Sequence, residues 1–359
     1  MDKSIMFHVN TGTVDGSGVS PRMIQDPDSF RTFLGPDGRS YKTVTQLVNG
    51  KPERAVVLAN TESTLAREEW LRIDQEVLEG AKPRLQAWAD LRAAAPVNVP
   101  DAFSVMALEY SLLKPNSIKV EMSMDGNRKS ERNRPTRDTA RTPLPILHCD
   151  FSFSARELAV ARRMGTPPDL TMAREAGWRI GEELEKLTLG TSGFNGYTYA
   201  GANAIYGYTT APSRITYTIT DPTGLGWTPQ TLLTEFLAMF QLLRDQQFSG
   251  PYKVYFSYPW VQYLDNDYTA SYAGGSTRNR LGQLPGVQSI GVLEYLTGFQ
   301  ILIVDMSSRT AQAIVGVDLT TIQWKSGDGQ EEYFKIFGIL VPRIRANADG
   351  HTGIVHAST

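Results

Sequence analysis

Two neighbouring runs decide the architecture: residues 144–158, LPILHCDFSFSAREL, and residues 162–190, RRMGTPPDLTMAREAGWRIGEELEKLTLG. The first reads as a strand from Leu144 to Phe153, with Pro143 and Pro145 tolerable near a ribbon's start or edge. A short helix, Ser154 to Met164, follows. Beyond the GTPP break, Asp169 stands where an N-cap would stand and Gly190 where a helix stop would stand. Between them Leu170, Ala173, Ile180, Leu184 and Leu187 share one face. Some twenty residues give a rod of roughly 30 Å. Gly177 and Gly181 lie one turn apart on it, each costing about 1 kcal/mol relative to Ala. They serve either close packing of a strand against the helix or a bend that can open and straighten.

Working outward toward the N-terminus, Ser117 to Met124 alternates Ile118, Val120, Met122 and Met124 against Ser117, Lys119, Glu121 and Ser123, the period of a strand. Between the two strands runs DGNRKSERNRPTRDTARTP, residues 125–143, with almost nothing to bury. Arg128, Lys129, Arg132, Arg134, Arg137 and Arg141 are offset only by Asp125, Glu131 and Asp138. A ribbon of about ten residues per arm extends roughly 33 Å. Alone in water a two-stranded ribbon is marginal. It is expected to need a surface from outside, and a basic tip suits an acidic surface on another subunit.

Residues 63–93 read as a helical face (Leu65, Trp70, Ile73, Val77) with Glu68 and Glu69 early, where the helix dipole favours anions. Gly80 and Pro83 interrupt it, and Leu85, Trp88 and Leu91 resume it. Residues before about 60 are rich in Gly, Pro, Asp and Asn, with only short apolar runs, and are expected to be an arm ordered against another surface. Downstream, Thr228-Pro229 opens a helix whose face is Leu232, Leu233, Phe236, Leu237, Phe240 and Leu243. Strand candidates are Tyr252–Tyr258, Val287–Val292, Phe299–Asp305, Gln312–Asp318, Thr321–Lys325 and Glu332–Ile344. Residues 270–280, ASYAGGSTRNR, with Gly274 and Gly275, read as a mobile loop. The class is α+β, helices packed on antiparallel sheets.

With 359 residues, 41% apolar and 21% charged, the chain can bury a substantial core. A formal net charge of -2 argues against a large footprint for nucleic acid. The single cysteine, Cys149, excludes an internal disulfide framework and fits a reducing compartment. No apolar run approaches the roughly 18 to 20 residues of a membrane span, and MDKSIMFHVNTGTVDGSG lacks the apolar core of a signal peptide. A cytosolic product is expected.

An enzyme should leave a constellation. Of four histidines, His8, His351 and His356 lie in terminal segments, and His148 beside Cys149 points to the opposite face of a strand, a poor metal pair. There is no Walker loop, dinucleotide fingerprint, nucleophile elbow or H-E-x-x-H. Glu182, Glu183 and Glu185 read as a solvated helix face or, failing that, a partner-facing patch. No catalytic residue, metal or cofactor is expected.

The order VEMSMDG, charged insert, LPILHCDFSFSAREL, then RRMGTPPDLTMAREAGWRIGEELEKLTLG resembles the elongation loop and spine helix of major capsid proteins of tailed bacteriophages, in the branch nearest encapsulin shells. Residues 63–93 are similar to that family's preceding helix. Residues 316–344, GVDLTTIQWKSGDGQEEYFKIFGILVPRI, are similar to its returning strands. Cys149 stands where relatives carry lysine.

The resemblance implies the Hong-Kong-97-type fold. Residues 1–61 would be the N-terminal arm, 62–112 the N-terminal helical segment of the peripheral domain and 113–153 the elongation loop. Residues 154–227 would hold the peripheral domain with its spine helix, and 228–311 the apical domain. Residues 312–345 would be the return strands and 346–359 a C-terminal tail. It implies pentamers and hexamers forming an icosahedral shell in the virion, built in a bacterial cytoplasm, enclosing double-stranded DNA without reading its sequence. A portal, and scaffold or decoration proteins, would be partners; an encapsulin-type compartment is the alternative. The ribbon's arginines would meet a neighbour's carboxylates, with Glu68, Glu69, Glu182, Glu183 and Glu185 as candidates. Some relatives cross-link an elongation-loop lysine to an asparagine; Lys129 is the sole lysine in the insert, and no cross-link is expected.

Overall fold

A computed structural model describes residues 32–34, 40–48, 51–58, 67–81, 85–114, 122, 124, 136–164, 170–268, 275–326, 330–347 and 350–359. In chain order the elements begin with strands β1 (Thr32–Leu34), β2 (Ser40–Val48) and β3 (Lys51–Leu58), then helices α1 (Arg67–Ala81) and α2 (Ala87–Ala94). Next come β4 (Pro96–Asn98), β5 (Ala107–Lys114), β6 (Thr136–Pro143), β7 (Leu147–Ser154), α3 (Ala155–Met164) and α4 (Thr171–Leu189). The remainder is β8 (Ile215–Thr218), α5 (Pro229–Asp245), β9 (Tyr252–Ser257), α6 (Val261–Asp265), α7 (Thr277–Gly282) and β10 (Val287–Leu293). Last are β11 (Gln300–Asp305), β12 (Ala311–Lys325), β13 (Glu331–Ile344) and β14 (Ile354–Ser358). The chain divides into one unit of residues 1–81, 148–178 and 320–336, and a second of residues 82–147, 179–319 and 337–359.

In the first unit β1, β2 and β3 form an antiparallel sheet. Its register runs to Val48↔Lys51, so the sequence between them is Asn-Gly, a strong hairpin signal. The segment read as an arm thus carries regular pairing, in keeping with the β-branched run Thr43, Val44 and Thr45 in β2. Helix α1 buries Ile73, Val77 and Ala81, the face expected from its periodicity. Strand β7 neighbours β13, and its inward residues Phe151 and Phe153 meet Phe334. Phe151 stacks on it at 5.2 Å between centroids and Phe153 meets it edge-on at 5.5 Å.

The ribbon begins earlier than its sequence suggests. β5 and β6 pair from Ala107↔Pro143 to Lys114↔Thr136, whereas the expected arms were 117–124 and 144–153. Leu147 to Phe153 carries aromatic residues that need a buried face, and β13 supplies it. The true partner, TRDTARTP, is too polar to signal a strand and is held by backbone pairing with ALEYSLLK. Of the expected strand 117–124, all but Met122 and Met124 lie outside the described residues; those two side chains are fully exposed.

The second unit is built on a five-stranded sheet ordered β10-β9-β11-β14-β8. Leu232, Phe236, Met239, Phe240 and Leu243 of α5 are buried in one core with Val254, Phe256, Ile301, Ile303, Val355 and Ala357. The expected face member Leu237 is instead half exposed. Residues 346–359 are not a tail: β14 lies antiparallel to β11 and parallel to β8. Ile354, Val355 and Ala357 are wholly buried. A five-residue strand gives too short a pattern to be seen in sequence. In this unit β4 also pairs parallel to β12, with Val97 opposite Ile314. Among the described residues no helix is long and apolar enough to cross a membrane.

Candidate functional site

The two elements that carried the reading of the sequence, ribbon and long helix, are where a functional surface would be built. Among the described residues the ribbon is a sheet of two strands only, and on the outer edge of β6 the Arg141 carbonyl accepts the Asn203 N–H at 2.8 Å. Glu109 and Arg141 stand directly opposite in its register and form an ion pair. This corrects the reading of Arg141 as a tip cation: it lies near the ribbon's base, engaged by its own chain. Arg137 is opposite Leu113 in the same ladder. Arg128, Lys129, Arg132 and Arg134 lie outside the described residues, as does Gly274. Gly275 accepts the Tyr268 N–H at 3.0 Å, just before α7.

Helix α4 ends as its sequence dictates. Gly190 takes the left-handed conformation, φ 101°, and the N–H groups of Gly190 and Thr191 both bond to the Lys186 carbonyl. Ala173, Ile180, Leu184 and Leu187 form its buried face. In the first unit Gly177 of α4 meets α1: a Cβ there would come within 2.3 Å of the Val77 carbonyl oxygen. Reciprocally, a Cβ at Gly80 would come within 2.4 Å of the Arg174 carbonyl oxygen. The close approach is thus of a helix, not of a strand. Arg174 also donates from Nε to Glu76 at 2.7 Å. Gly181 is buried.

The acidic run on α4 is not one face. Glu182 pairs with Lys186 at 2.9 Å, and Glu183 accepts the Ser192 hydroxyl at 2.9 Å. Glu185 is 1% exposed and accepts the backbone N–H of Ala87 at 2.6 Å and of Trp88 at 3.0 Å. It therefore caps the N-terminus of α2, whose own N-cap residue Gln86 makes no side-chain cap. Glu185 is thereby removed from the candidate partners of an arginine on another subunit: burial hides it and two backbone donors occupy it. Burial pushes its pKa up to about 7, against the lowering effect of those donors. Asp90 beside it accepts the Tyr255 hydroxyl at 2.8 Å and pairs with Lys253. Glu68 and Glu69 lie in α1, with side chains outside the described residues. Sequence reasoning missed the cap, since a residue 98 positions away leaves no local signal.

Burial, then Asp150 and Glu175, raise the pKa of the Cys149 thiol, which opposes thiolate chemistry. Among the described residues no group of three His, Cys, Asp or Glu side chains could hold a metal ion.

Comparison with known proteins bears on this geometry. A family model described as "Family of unknown function (DUF6260)" matches residues 59–357. No curated protein matches the chain. Among solved structures, the virus-like particle from Pyrococcus furiosus is similar with a TM-score of 0.56 and 17% identity, over 81% of this chain and 99% of that one. The capsid of Myoviridae Phage XM1 is similar with a TM-score of 0.56 and 12% identity, over 74% and 91% of the two chains. The capsid of a native GTA particle has a TM-score of 0.54 and 12% identity, over 76% and 90%. At these identities the likeness is one of fold, and the fold is the Hong-Kong-97-type fold of capsid shells.

Proposed function

The chain belongs to the DUF6260 family, and we propose that it is a major capsid protein, assembling as pentamers and hexamers into the icosahedral shell around the double-stranded DNA of a tailed phage. The observation that carries this reading is the ribbon: among the described residues its two strands form a ladder only with each other, in a chain whose fold is shared with a phage capsid. Such an element gains further ladder partners from a neighbour. Obligate interfaces commonly bury about 2,000 Å² or more, enough to order segments without a core of their own. In this reading the role is structural rather than catalytic, the product resides in the virion, and a portal and scaffold or decoration proteins are its partners. The near-neutral charge suits a wall around DNA that does not grip phosphates.

A second reading, an encapsulin-type shell around protein cargo, is favoured by the Pyrococcus furiosus virus-like particle, nearly all of which is matched. Electron microscopy of purified material tests both, with nuclease-protected DNA inside the particles expected. Particles filled with a cargo protein would select the second reading. A chain that stays monomeric at all concentrations would overturn both.

A further inference from the structure

Tyr110 of β5 has two guanidinium groups over its ring: Arg343 with its central carbon 4.8 Å from the centroid and Arg345 at 5.5 Å. Arg343 is 7% exposed. Its Nε and Nη2 donate to the one Gln312 carbonyl oxygen, the former at 3.0 Å. Arg345 donates from Nη1 to the Ser308 carbonyl at 3.3 Å, while its Nε is buried with no partner. Among the described residues neither guanidinium forms an ion pair. Burial, and then the charge of Arg345, lower the pKa of Arg343. Two like charges therefore share a half-dry site with an aromatic face and neutral acceptors, and no anion. Cation–π attraction offsets only part of such a cost. A planar carboxylate, the usual partner of a guanidinium, is the group this site lacks.

We propose that the Arg343–Arg345 pair over Tyr110 is a docking site for a carboxylate side chain of a second copy of this chain. Tyr110 lies on the ribbon, a sheet of two strands only among the described residues, so the site sits where an incoming copy is expected. The chain carries 38 acidic against 36 basic side chains, so copies of it have carboxylates to spare. A nucleic-acid phosphate fits less well. Glu109 and Arg141 balance each other on the neighbouring rung. The inference rests on the shell reading.

The experiment compares wild type, Arg345→Gln and Arg345→Lys for the critical concentration of particle assembly by light scattering, and for the melting temperature of unassembled subunits. Arg345→Gln is expected to raise the critical concentration about tenfold or more with the subunit melting temperature unchanged. Arg345→Lys, which keeps the charge but not the fork, is expected to fall between. An unaltered critical concentration overturns the proposal. So does a Gln variant that misfolds or melts early as a free subunit, because the arginine then serves its own chain. A defect confined to the DNA content of normal particles assigns the pair to phosphate instead. A wild type that never assembles removes the shell reading and this site together, whereas assembling wild type with indifferent variants removes the site alone.

Discussion

Glu185 on α4 and Ala87 at the start of α2 are joined by a 2.6 Å hydrogen bond from the Ala87 N–H to the buried carboxylate. With its pKa pushed up to about 7 by burial, this carboxyl binds its proton more tightly in the folded chain than in the unfolded one. Stability from this group is then fully present below about pH 4.5 and is lost as pH rises toward about 7. The loss is on the order of 3 kcal/mol over that window. Urea denaturation of wild type and Glu185→Gln across pH 4.5 to 8 checks it: the difference between their stabilities should track that window. Parallel pH profiles would show that Glu185 does not titrate there.

At Gly177 a methyl group would meet backbone, the Val77 carbonyl oxygen, which has no rotamer by which to move aside. Gly177→Ala should therefore destabilise the chain by about 1–3 kcal/mol, although Ala is the better helix former. Gly193, with nothing within 4 Å of its Cβ position, is the control. Gly193→Ala should change stability by less than about 0.5 kcal/mol. Chemical denaturation midpoints decide, and a neutral Gly177→Ala would mean that α1 and α4 part easily.

The basic tip is expected to matter between subunits rather than within one. Replacing residues 126–134 by a short Gly-Ser linker leaves β5 and β6 intact and should not move the subunit melting temperature. The yield of sedimenting particles should fall several-fold. Wild-type yield would mean the tip makes no stabilising contact.

Val355 is wholly buried in an inner strand. Val355→Asp places a carboxylate there with no partner, at a cost of about 4 kcal/mol or more. The variant should be insoluble or readily proteolysed. A soluble, protease-resistant variant would show that the strand can be dispensed with.

The long helix, its glycine stop and the buried stripes of α1, α2 and α5 were legible because each repeats a local period over many residues, and β10, β11 and β13 because each is a continuous run of strand-forming residues, whereas β12 was read as two strands, Gln312–Asp318 and Thr321–Lys325. The ribbon's pairing was not. TRDTARTP satisfies its backbone against β5 without any apolar alternation, while the apolar run beginning at Leu144 was claimed by β13. Strand β14 was missed because five residues give too little pattern. The cap on α2 and the arginine pair over Tyr110 join positions far apart in sequence, and no spacing rule connects them. Glu185 was misread for the same reason: three glutamates within one turn look alike until the fold buries one.

Among the described residues strand β8 has a single partner in its sheet, β14, with Ile215 opposite Val355. The segment that completes the sheet is thus far downstream of the strand it completes. Closure by so distant a segment is slow compared with hairpin formation. Until it happens β8 and β11 expose unmatched edges, which is when chains at high concentration join wrongly. The ratio of closure rate to synthesis rate, more than the strength of the finished sheet, would then set how much newly made protein escapes aggregation.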